Sequence, residues 1–209
     1  MVSLPDHLMP APVGKERLSR EVVEAHQRDR VLAAAVAVFA GRGYQSTTVD
    51  HLVEAAQIGV GSFYSLFDGK EDCFLRLYDR IVAEARERIA AAGPDVPWAD
   101  RVRAGLRELL LMVAAEPDRA RIVLIEANTA GAAGARRYAA TVAELTAVIR
   151  EGRPAEGRGE EVPPPSFEDA AVAGLAWVLH QRLAAGEPVV VAELLPEMEG
   201  LVIAPYEIA

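Results

Sequence analysis

The sequence predicts an all-α protein, and three observations support that prediction. Apolar residues recur at the helical spacing over most of the chain, as Val31, Ala35 and Phe39 do. Glycine and proline interrupt this spacing at intervals typical of helix ends. The segment 188–192 has the pattern of a strand, but no second strand is available to pair with it, so we interpret it as a loop or the lead-in to a helix.

The apolar spacing and the helix-end signals together predict about nine helices. We place Thr47 at the N-cap of the second helix, with Asp50 three residues later. Asp68 takes the same position before the fourth helix, with Glu71 three residues later. The predicted helices cover residues 19–41, 48–56, 60–67, 70–92, 99–115, 118–128, 132–151, 166–185 and 196–204.

The composition is that of a soluble globular protein. Of 209 residues, 51% are hydrophobic and 25% are charged, which is enough apolar material for a sizeable core and argues against disorder. The formal net charge of −9 argues against a purely electrostatic, histone-like nucleic-acid binder. We see no targeting segment and no apolar run of membrane length, so we expect a cytoplasmic protein without membrane contact.

The sequence carries no signature of an enzyme, a metal site or a bound cofactor. The four histidines are scattered, and no nucleophile elbow or phosphate-binding loop is present. The single cysteine, Cys73, excludes an internal disulfide and a cysteine zinc site, which fits a reducing cytosol. We interpret Cys73 as a small buried hydrophobic residue, and we predict neither catalysis nor a cofactor.

The informative segment is 43–74. It reads as a short capped helix, a tight turn and a second short helix with small and polar residues on its outer face. This is the spacing of a helix-turn-helix, whose second helix can enter a DNA major groove. The segment closely resembles the N-terminal domain of TetR/AcrR-family regulators. The matching residues are Gly43-Tyr44, Thr47-Thr48, Ala55-Ala56, Gly61, Phe63-Tyr64, Phe67 and Lys70-Glu71.

The resemblance implies a DNA-binding transcriptional regulator, a repressor, that binds a palindromic operator as a homodimer. It also implies release from the operator by a small, largely apolar ligand. The predicted organisation is a flexible arm over 1–18, the helix-turn-helix domain over 19–69, and a ligand-binding and dimerisation domain over 70–209. The alternative is a helical small-molecule-binding or interaction protein without specific DNA binding.

The resemblance assigns DNA contacts to the first motif helix, the turn, the second motif helix and the residue that opens the next helix. Thr48 would contact phosphate, although its hydroxyl could serve only as a second helix cap. Tyr44 would either pack in the core or approach the DNA backbone. The full set of predicted DNA-binding residues is Thr48, Gln57, Val60, Gly61, Ser62, Tyr64, Ser65 and Lys70.

Two departures from the family pattern bear on how DNA would be recognised. The second motif helix contains no Arg or Lys, so it cannot supply the bidentate arginine that reads guanine. The remaining specific options are contact of Val60 with a thymine methyl group and contact of Gln57, which stands where a turn glycine is usual, with adenine. In segment 15–76, eight Lys and Arg face nine Asp and Glu, so we expect a shallow salt dependence.

The N-terminal arm and the last two helices leave alternatives open. Lys15, Arg17 and Arg20 would either enter a neighbouring minor groove or remain solvated. The last two helices would form a four-helix bundle with a second copy, or else only an intramolecular core. The predicted dimer residues are Ala171, Gly174, Leu175, Val178, Met198, Leu201 and Val202.

The middle helices would enclose the ligand, and helix 70–92 would tilt when it binds. Glu126 and Asn128 are polar residues on an otherwise apolar helix, which makes them candidate anchors. Each candidate has a core or interface position as its alternative. The predicted ligand-binding residues are Trp98, Met112, Leu124, Glu126, Asn128, Tyr138 and Trp177, with Phe167 and His180 as further candidates.

Overall fold

Residues 20–93, 96–153, 163–164 and 166–206 are described in this computed structural model, and within them the chain forms nine helices and no strand. The all-α prediction is therefore confirmed. The predicted arm 1–18 and most of the predicted loop 152–165 lie outside the described residues. The helices are α1 (Arg20–Arg42), α2 (Val49–Ala56), α3 (Val60–Leu66), α4 (Lys70–Ala91), α5 (Trp98–Ala115), α6 (117–129), α7 (Gly131–Arg150), α8 (Phe167–Ala185) and α9 (Val191–Val202), followed by a 3₁₀ turn at Ala204–Tyr206.

The first hydrophobic core joins α1, α2, α3 and the N-terminal half of α4. Phe39 of α1, Phe63 of α3 and Phe74 of α4 are fully buried in it. The rings of Phe39 and Phe74 meet edge to face with their centroids 5.1 Å apart, a favourable arrangement for aromatic pairs. This core extends along α4 as far as Val82, so α4 belongs to it as well as to the rest of the molecule.

The N-cap of α2 is Thr48, and our prediction of Thr47 is wrong by one residue. The Thr48 hydroxyl accepts a hydrogen bond from the His51 N–H, and His51 Nδ1 accepts one from the Thr48 N–H at 3.2 Å. Thr47 is buried instead, and its hydroxyl donates to the Gly43 carbonyl at 2.8 Å. The hydroxyl of Thr47 is thus satisfied within the preceding turn and is not available to the helix.

The N-cap of α4 also lies one residue later than predicted, at Gly69 in place of Asp68. Gly69 has φ 148°, a conformation that side-chain-bearing residues rarely adopt, and this sets where the helix begins. The backbone N–H of Asp68 donates to the Asp72 carboxylate at 3.1 Å, so the carboxylate at the helix start comes from within the helix.

The helix α6 differs from a regular α-helix. It begins with an α-helical turn over Pro117–Arg121, continues as a π-helical turn over Ile122–Glu126 and ends with Ala127–Thr129. A π-turn widens the helix and changes the direction of the side chains that follow it, and such turns occur often at functional sites. Ile122 and Glu126, at the two ends of the turn, are both buried.

The helix α9 begins at Val191, five residues before the predicted start at Pro196. Pro196 therefore lies inside the helix, where it lacks the N–H that would complete the hydrogen-bond ladder. Leu194, Met198 and Val202 are buried on one stripe of α9. Burial of this stripe, including the residue that precedes the proline, outweighs the loss of one backbone hydrogen bond.

The second hydrophobic core packs α5 and α9 with the inner faces of α7 and α8. At its base, Glu168 is 1% exposed, and its carboxylate accepts from Tyr206 Oη at 2.6 Å. Arg150 and Arg153 form ion pairs with the same carboxylate. This network joins α7, the start of α8 and the 3₁₀ turn near the C-terminus.

Two negative findings hold for the described ranges. None of their helices combines the length and the apolar content that a bilayer span requires. The same ranges contain no cluster of three or more His, Cys, Asp or Glu side chains placed to hold a metal ion. Cys73 is buried, and burial raises the pKa of its thiol to about 12, so the side chain is a packing residue.

Candidate functional site

The turn between α2 and α3 depends on an unusual backbone conformation at Gln57. Gln57 has φ 53°, and it is the one non-glycine residue with positive φ in the described part of the chain. Its N–H donates to the Glu54 carbonyl, which closes α2. Arg30 of α1 donates to the Ala56 carbonyl at 2.9 Å and holds the turn against α1. The side chain of Gln57 is exposed beside α3.

The helix α3 has one buried and one exposed face. Phe63 and Leu66 are buried against α1 and α2, which turns the opposite face outward. On that face Tyr64 is 56% exposed and Val60 is 46% exposed. The remaining predicted contact residues of α3 are Gly61 and Ser65, which are exposed, and Ser62, which is half-buried. The predicted α3 residues are therefore accessible together on one side of the molecule.

Lys70 contributes a cation beside α3, but the ammonium group is already held by the protein. Its Nζ donates to the Tyr44 carbonyl at 2.8 Å and lies 4.3 Å from the centroid of the Tyr44 ring. Tyr44 itself is buried against Phe39 and Phe74. An ammonium group has three N–H donors, and one of those of Lys70 is used by the Tyr44 carbonyl. Contact between Lys70 and DNA would therefore use the other two.

Tyr44 also connects the first core to α6. Its backbone N–H donates to Glu126 Oε2 at 2.7 Å. A second bond in the same place joins Gln45 Nε2 to the Thr129 carbonyl at 2.5 Å. Glu126 lines neither of the two pockets described below. We predicted it as a ligand anchor, and the structure shows its carboxylate bonded to Tyr44 instead. A polar residue on an otherwise apolar helix does indicate a specific contact, but here the contact joins α6 to the backbone of Tyr44 in the first core.

A cavity of about 560 Å³ opens between α4, α5, α6, α7 and α8. Three of the predicted ligand residues, Met112, Leu124 and Tyr138, line it. The other apolar side chains in its wall are aliphatic, and they include Ile89, Leu109, Val123, Leu145 and Val172. Its volume is within the range of pockets that bind small molecules.

Paired charges line this cavity. Arg86 pairs with Glu144, and Arg119 pairs with Glu84 and with Glu116, the last at 3.0 Å. Arg88 Nη2 lies 2.6 Å from Glu108 Oε1. The fourth arginine, Arg101, donates to the Glu151 carbonyl. Sequence analysis missed these arginines, although Arg and Glu alternate on α4 at the spacing of ion pairs on a helix.

A smaller pocket of about 260 Å³ adjoins the cavity between α6, α7 and α8. Asn128, Trp177 and His180 line it, and it shares Leu124 and Tyr138 with the larger cavity. The ring of Trp177 stacks on that of His180 with 5.8 Å between centroids. His180 Nδ1 lies 3.0 Å from the Leu124 carbonyl oxygen.

Besides Glu126, two further predicted ligand residues lie away from both pockets. Trp98 is buried in the second core, and its Nε1 donates to the Ile149 carbonyl at 2.7 Å. Phe167 packs on the Tyr206 ring near the same place, with 6.0 Å between centroids. Both were selected as large aromatic residues, and the structure places them in the base of the second core.

The predicted dimer residues divide into a buried and an outward group. Ala171, Leu175, Met198 and Val202 are buried within the protomer, so these four positions belong to its own core and the dimer prediction for them is wrong. The residues available on the outer surface of α8 and α9 are Gly174 and Val178, which are half-buried, Leu201, which is 37% exposed, and Trp177, which is 62% exposed.

The N-terminal region matches a known protein family. Residues 31–77 match the family model described as "Bacterial regulatory proteins, tetR family". An uncharacterized HTH-type transcriptional regulator from Bacillus subtilis strain 168, YhgD, is 30% identical over 81 residues. That alignment covers 38% of this chain and 42% of YhgD, less than half the length of the relative.

Solved structures share the whole fold at low sequence identity. The fatty acid degradation regulator FadR from Bacillus halodurans has a TM-score of 0.72 and 17% identity, covering 84% of this chain and 94% of FadR. AibR, solved with isovaleryl coenzyme A and operator DNA, has a TM-score of 0.63 and 16% identity, covering 86% of this chain and 100% of AibR. The N-terminal match over residues 31–77 and the shared fold make this chain similar to bacterial regulatory proteins of the tetR family.

Proposed function

We propose that this protein is a homodimeric, ligand-responsive transcriptional regulator, a repressor, that binds a palindromic DNA operator. The observation that carries the proposal is the outward face of α3, on which Val60, Gly61, Tyr64 and Ser65 are accessible while Phe63 and Leu66 fix the helix from behind. AibR, which shares the fold, was solved with operator DNA.

In this proposal the reading head is residues 19–69, and the ligand-binding and dimerisation domain is residues 70–209. The contacts with DNA come from Thr48 at the start of α2, Gln57 in the turn, the α3 residues with Ser62, and Lys70. Because α3 has no Arg or Lys, contacts with base edges come from Val60 and Gln57, and Tyr64 contacts phosphate or the sugar edge. Phosphate contacts come from the hydroxyl groups, from backbone N–H groups and from Lys70.

The ligand in this proposal is a small, largely apolar molecule that occupies the cavity between α4 and α8. The same helix that supplies Leu124 to the cavity wall supplies Glu126 to the Tyr44 N–H. A ligand that moves α6 or α4 therefore changes the position of the head. A coupling free energy of about 1–3 kcal/mol would give a graded release.

Dimerisation in this proposal uses the outer surface of α8 and α9. The helix α8 carries apolar residues around its whole circumference, which is typical of a helix buried on all sides. One protomer covers only the inner side, where Ala171 and Leu175 lie. The outer side, with Gly174, Trp177 and Leu201, is then covered by the same surface of a second copy.

Substitution on the outer surface tests the dimer. Trp177→Asp places a charge where the second copy would pack, and we expect sedimentation at the monomer mass at micromolar concentration. The matched control is Val96→Asp, because Val96 is exposed and precedes α5 in the chain, outside α8 and α9. A wild-type protein that sediments as a monomer, or a Trp177→Asp variant that remains dimeric, would contradict this interface.

Selection from random duplex DNA followed by titration tests the function. We expect a palindromic sequence to be enriched and Tyr64→Ala to weaken its binding at least tenfold, with an unchanged circular dichroism spectrum. Val96→Ala, an exposed substitution away from α3, is the control for a general effect of truncation. The absence of cations on α3 favours one alternative, a small-molecule-binding protein without specific DNA binding. Enrichment of no sequence would support that alternative.

A further inference from the structure

We propose that the ion pair between Arg86 and Glu144 is a latch at the mouth of the cavity, and that small apolar molecules enter and leave where this pair joins α4 to α7. The proposal rests on the cavity's proposed role as the effector site and adds the route into it. It is carried by the position of the pair, since both side chains line the cavity and both are exposed.

Residues that line the cavity and are also exposed mark its mouth. Most of the lining is buried or half-buried, but the C-terminal halves of α4 and α7 are different. Their exposed lining residues are Arg86, Arg88 and Ala90 on α4, and Glu144 and Val148 on α7, with Glu151 directly after α7. One further exposed lining residue, Glu116, follows α5. The cavity therefore opens mainly between these two helices.

Val148 makes this mouth apolar as well as open. Its side chain is 47% exposed, although it lines the cavity beside Leu145 and Ile149. An exposed valine at this place continues the aliphatic wall out to the surface. An apolar molecule can thus bury surface against Val148 before it is fully inside.

Two ion pairs join α4 to α7, and only one of them lies on the cavity. Asp79 pairs with Arg137 at 2.8 Å, and neither residue lines the cavity. The pair of Arg86 with Glu144 lies seven residues later on both helices, which is about two turns. The two helices therefore run side by side in the same direction, and the second pair crosses the gap between them at the mouth.

The part of α4 that carries Arg86 is loosely packed compared with the part before it. The first core holds α4 as far as Val82. Beyond that point Ala85 and Ile89 line the cavity and belong to neither hydrophobic core. Movement of this half of α4 away from α7 therefore costs little apolar packing, and the ion pair opposes it.

The strength of the pair suits a latch that slows exchange without blocking it. The Arg86 side chain is 57% exposed and that of Glu144 is 51% exposed. An exposed pair of this kind changes an equilibrium by only about two- to fivefold, and salt screens it. Because the pair closes the mouth with or without a molecule inside, it affects the rates of entry and exit equally and leaves the affinity unchanged.

The kinetic test uses N-phenyl-1-naphthylamine, an uncharged dye that fluoresces more strongly in apolar surroundings. Glu144→Gln removes the charge and keeps the size of the side chain. Stopped-flow mixing with the full-length variant should show that both the association and the dissociation rate constants rise about two- to fivefold, with an unchanged dissociation constant. Sodium chloride at about 0.5 M should accelerate exchange in the wild type more than in Glu144→Gln.

The matched control is Arg137→Gln, which breaks the other exposed pair between the same helices. There the first core and the bond from the Tyr78 hydroxyl to Thr141 still hold α4, so its rates should equal those of the wild type. Wild-type rates in Glu144→Gln, a change in only one rate constant, or equal acceleration by Arg137→Gln would overturn the proposal. A dye that does not bind at all, or an equal effect of salt on wild type and Glu144→Gln, would overturn it as well.

A cross-link tests the latch in the opposite direction. Arg86→Cys and Glu144→Cys, introduced together, place two exposed thiols on facing helices, and a bismaleimide can join them. The native Cys73 does not compete, because it is buried and burial raises the pKa of its thiol to about 12. We expect the cross-link to slow exchange of the dye about tenfold or more. The control cross-link joins Asp79→Cys to Arg137→Cys and should leave exchange unchanged. Equal rates before and after cross-linking at the latch would overturn the proposal.

These measurements use no DNA, so they separate the latch from the proposed function. If dye exchange responds to the latch but no duplex is ever selected, the latch stands and the regulatory function is wrong. If a palindromic duplex is selected but dye exchange is indifferent to the pair, the regulatory function stands and the latch is wrong.

Discussion

Single residues set the geometry of the reading head, and Gln57 is the clearest case. A side-chain-bearing residue with φ 53° is in the left-handed region, which costs roughly 1–2 kcal/mol relative to the right-handed conformation. The turn tolerates this because the Gln57 N–H closes α2 and Arg30 holds the adjacent carbonyl of Ala56. The sequence thus has an exposed glutamine side chain at a position where glycine would avoid the backbone strain.

Replacement of Gln57 by glycine should therefore stabilise the protein. Glycine adopts positive φ without steric cost, so we expect Gln57→Gly to raise the free energy of unfolding by about 1 kcal/mol, measured by urea denaturation. Gln57→Ala removes the same amide but keeps the strain, which makes it the matched control. Equal stability of the glycine and alanine variants would contradict this explanation. If Gln57 reads adenine, both variants weaken operator binding by the same factor.

At the scale of helices, α6 connects the cavity to the head. Its π-turn places Leu124 in the cavity wall and turns Glu126 toward the Tyr44 N–H. The peptide units on both sides of Tyr44 are thereby held, one by Glu126 and the other by Lys70 of α4. Both α4 and α6 line the cavity, so the position of Tyr44 depends on both.

Loss of the Glu126 carboxylate should loosen this connection. Glu126→Ala leaves the Tyr44 N–H without its partner, and we expect a loss of about 1–3 kcal/mol in stability. The Tyr44 amide should also exchange with solvent deuterium at least tenfold faster. Glu126→Gln keeps an acceptor oxygen and should retain most of the protection. Slow exchange of Tyr44 in the alanine variant would show that this bond does not hold the head.

The junction of α7, α8 and the 3₁₀ turn depends on the ionised form of Glu168. Burial alone would raise the pKa of Glu168, but the Tyr206 hydroxyl, a backbone N–H and the two arginines together lower it. A carboxylate whose pKa is lowered by folding stabilises the protein above its unfolded pKa, about 4.3 for glutamate. That contribution is lost as the pH falls through the folded value.

Acid titration of stability tests the Glu168 network. At pH 7, Glu168→Gln should lower the free energy of unfolding by about 1.5–3 kcal/mol, because bonds to a charged acceptor become bonds to a neutral one. Below about pH 4.3, where the glutamate of the unfolded chain binds its proton, the difference between wild type and variant should begin to shrink, and it should disappear once folded Glu168, whose pKa is lower, is protonated too. Urea denaturation across this pH range measures both. A difference that is constant with pH would contradict the role of the charge.

The positions of these helices can be predicted from the sequence better than their ends, because different interactions determine the two. Apolar spacing located all nine helices, because burial of a stripe determines where a helix lies. The caps at Thr48 and Gly69 were each misplaced by one residue, since adjacent threonines and a glycine beside an aspartate offer competing local solutions. The early start of α9 depended on burial of Leu194, which overrode the signal of Pro196.

The candidate sites were less predictable than the fold. The α3 residues were assigned from the family resemblance, and the burial of Phe63 and Leu66 turns the side that carries them outward. Cavity residues come from five helices, and spacing within one helix does not reveal which face another helix leaves uncovered. Trp98 and Glu126 were chosen by residue type alone, and their partners, Ile149 and Tyr44, are remote in sequence.

At the scale of the whole molecule, a single α3 helix of seven residues reaches too few bases to specify a site. Two copies held about 34–36 Å apart read the two halves of a palindrome. The outer surface of α8 and α9 is where the two copies would meet. Few cations lie on the head, so the affinity should fall only gently with salt, with far fewer than about ten ion contacts per dimer.

The most direct test is the stoichiometry of the complex with a selected palindromic duplex, measured by sedimentation at several salt concentrations. We predict two protomers on one duplex and a shallow loss of affinity as salt increases. A single protomer on the duplex, or binding that is equally tight to an unrelated sequence, would contradict the central claim that two copies read one site together.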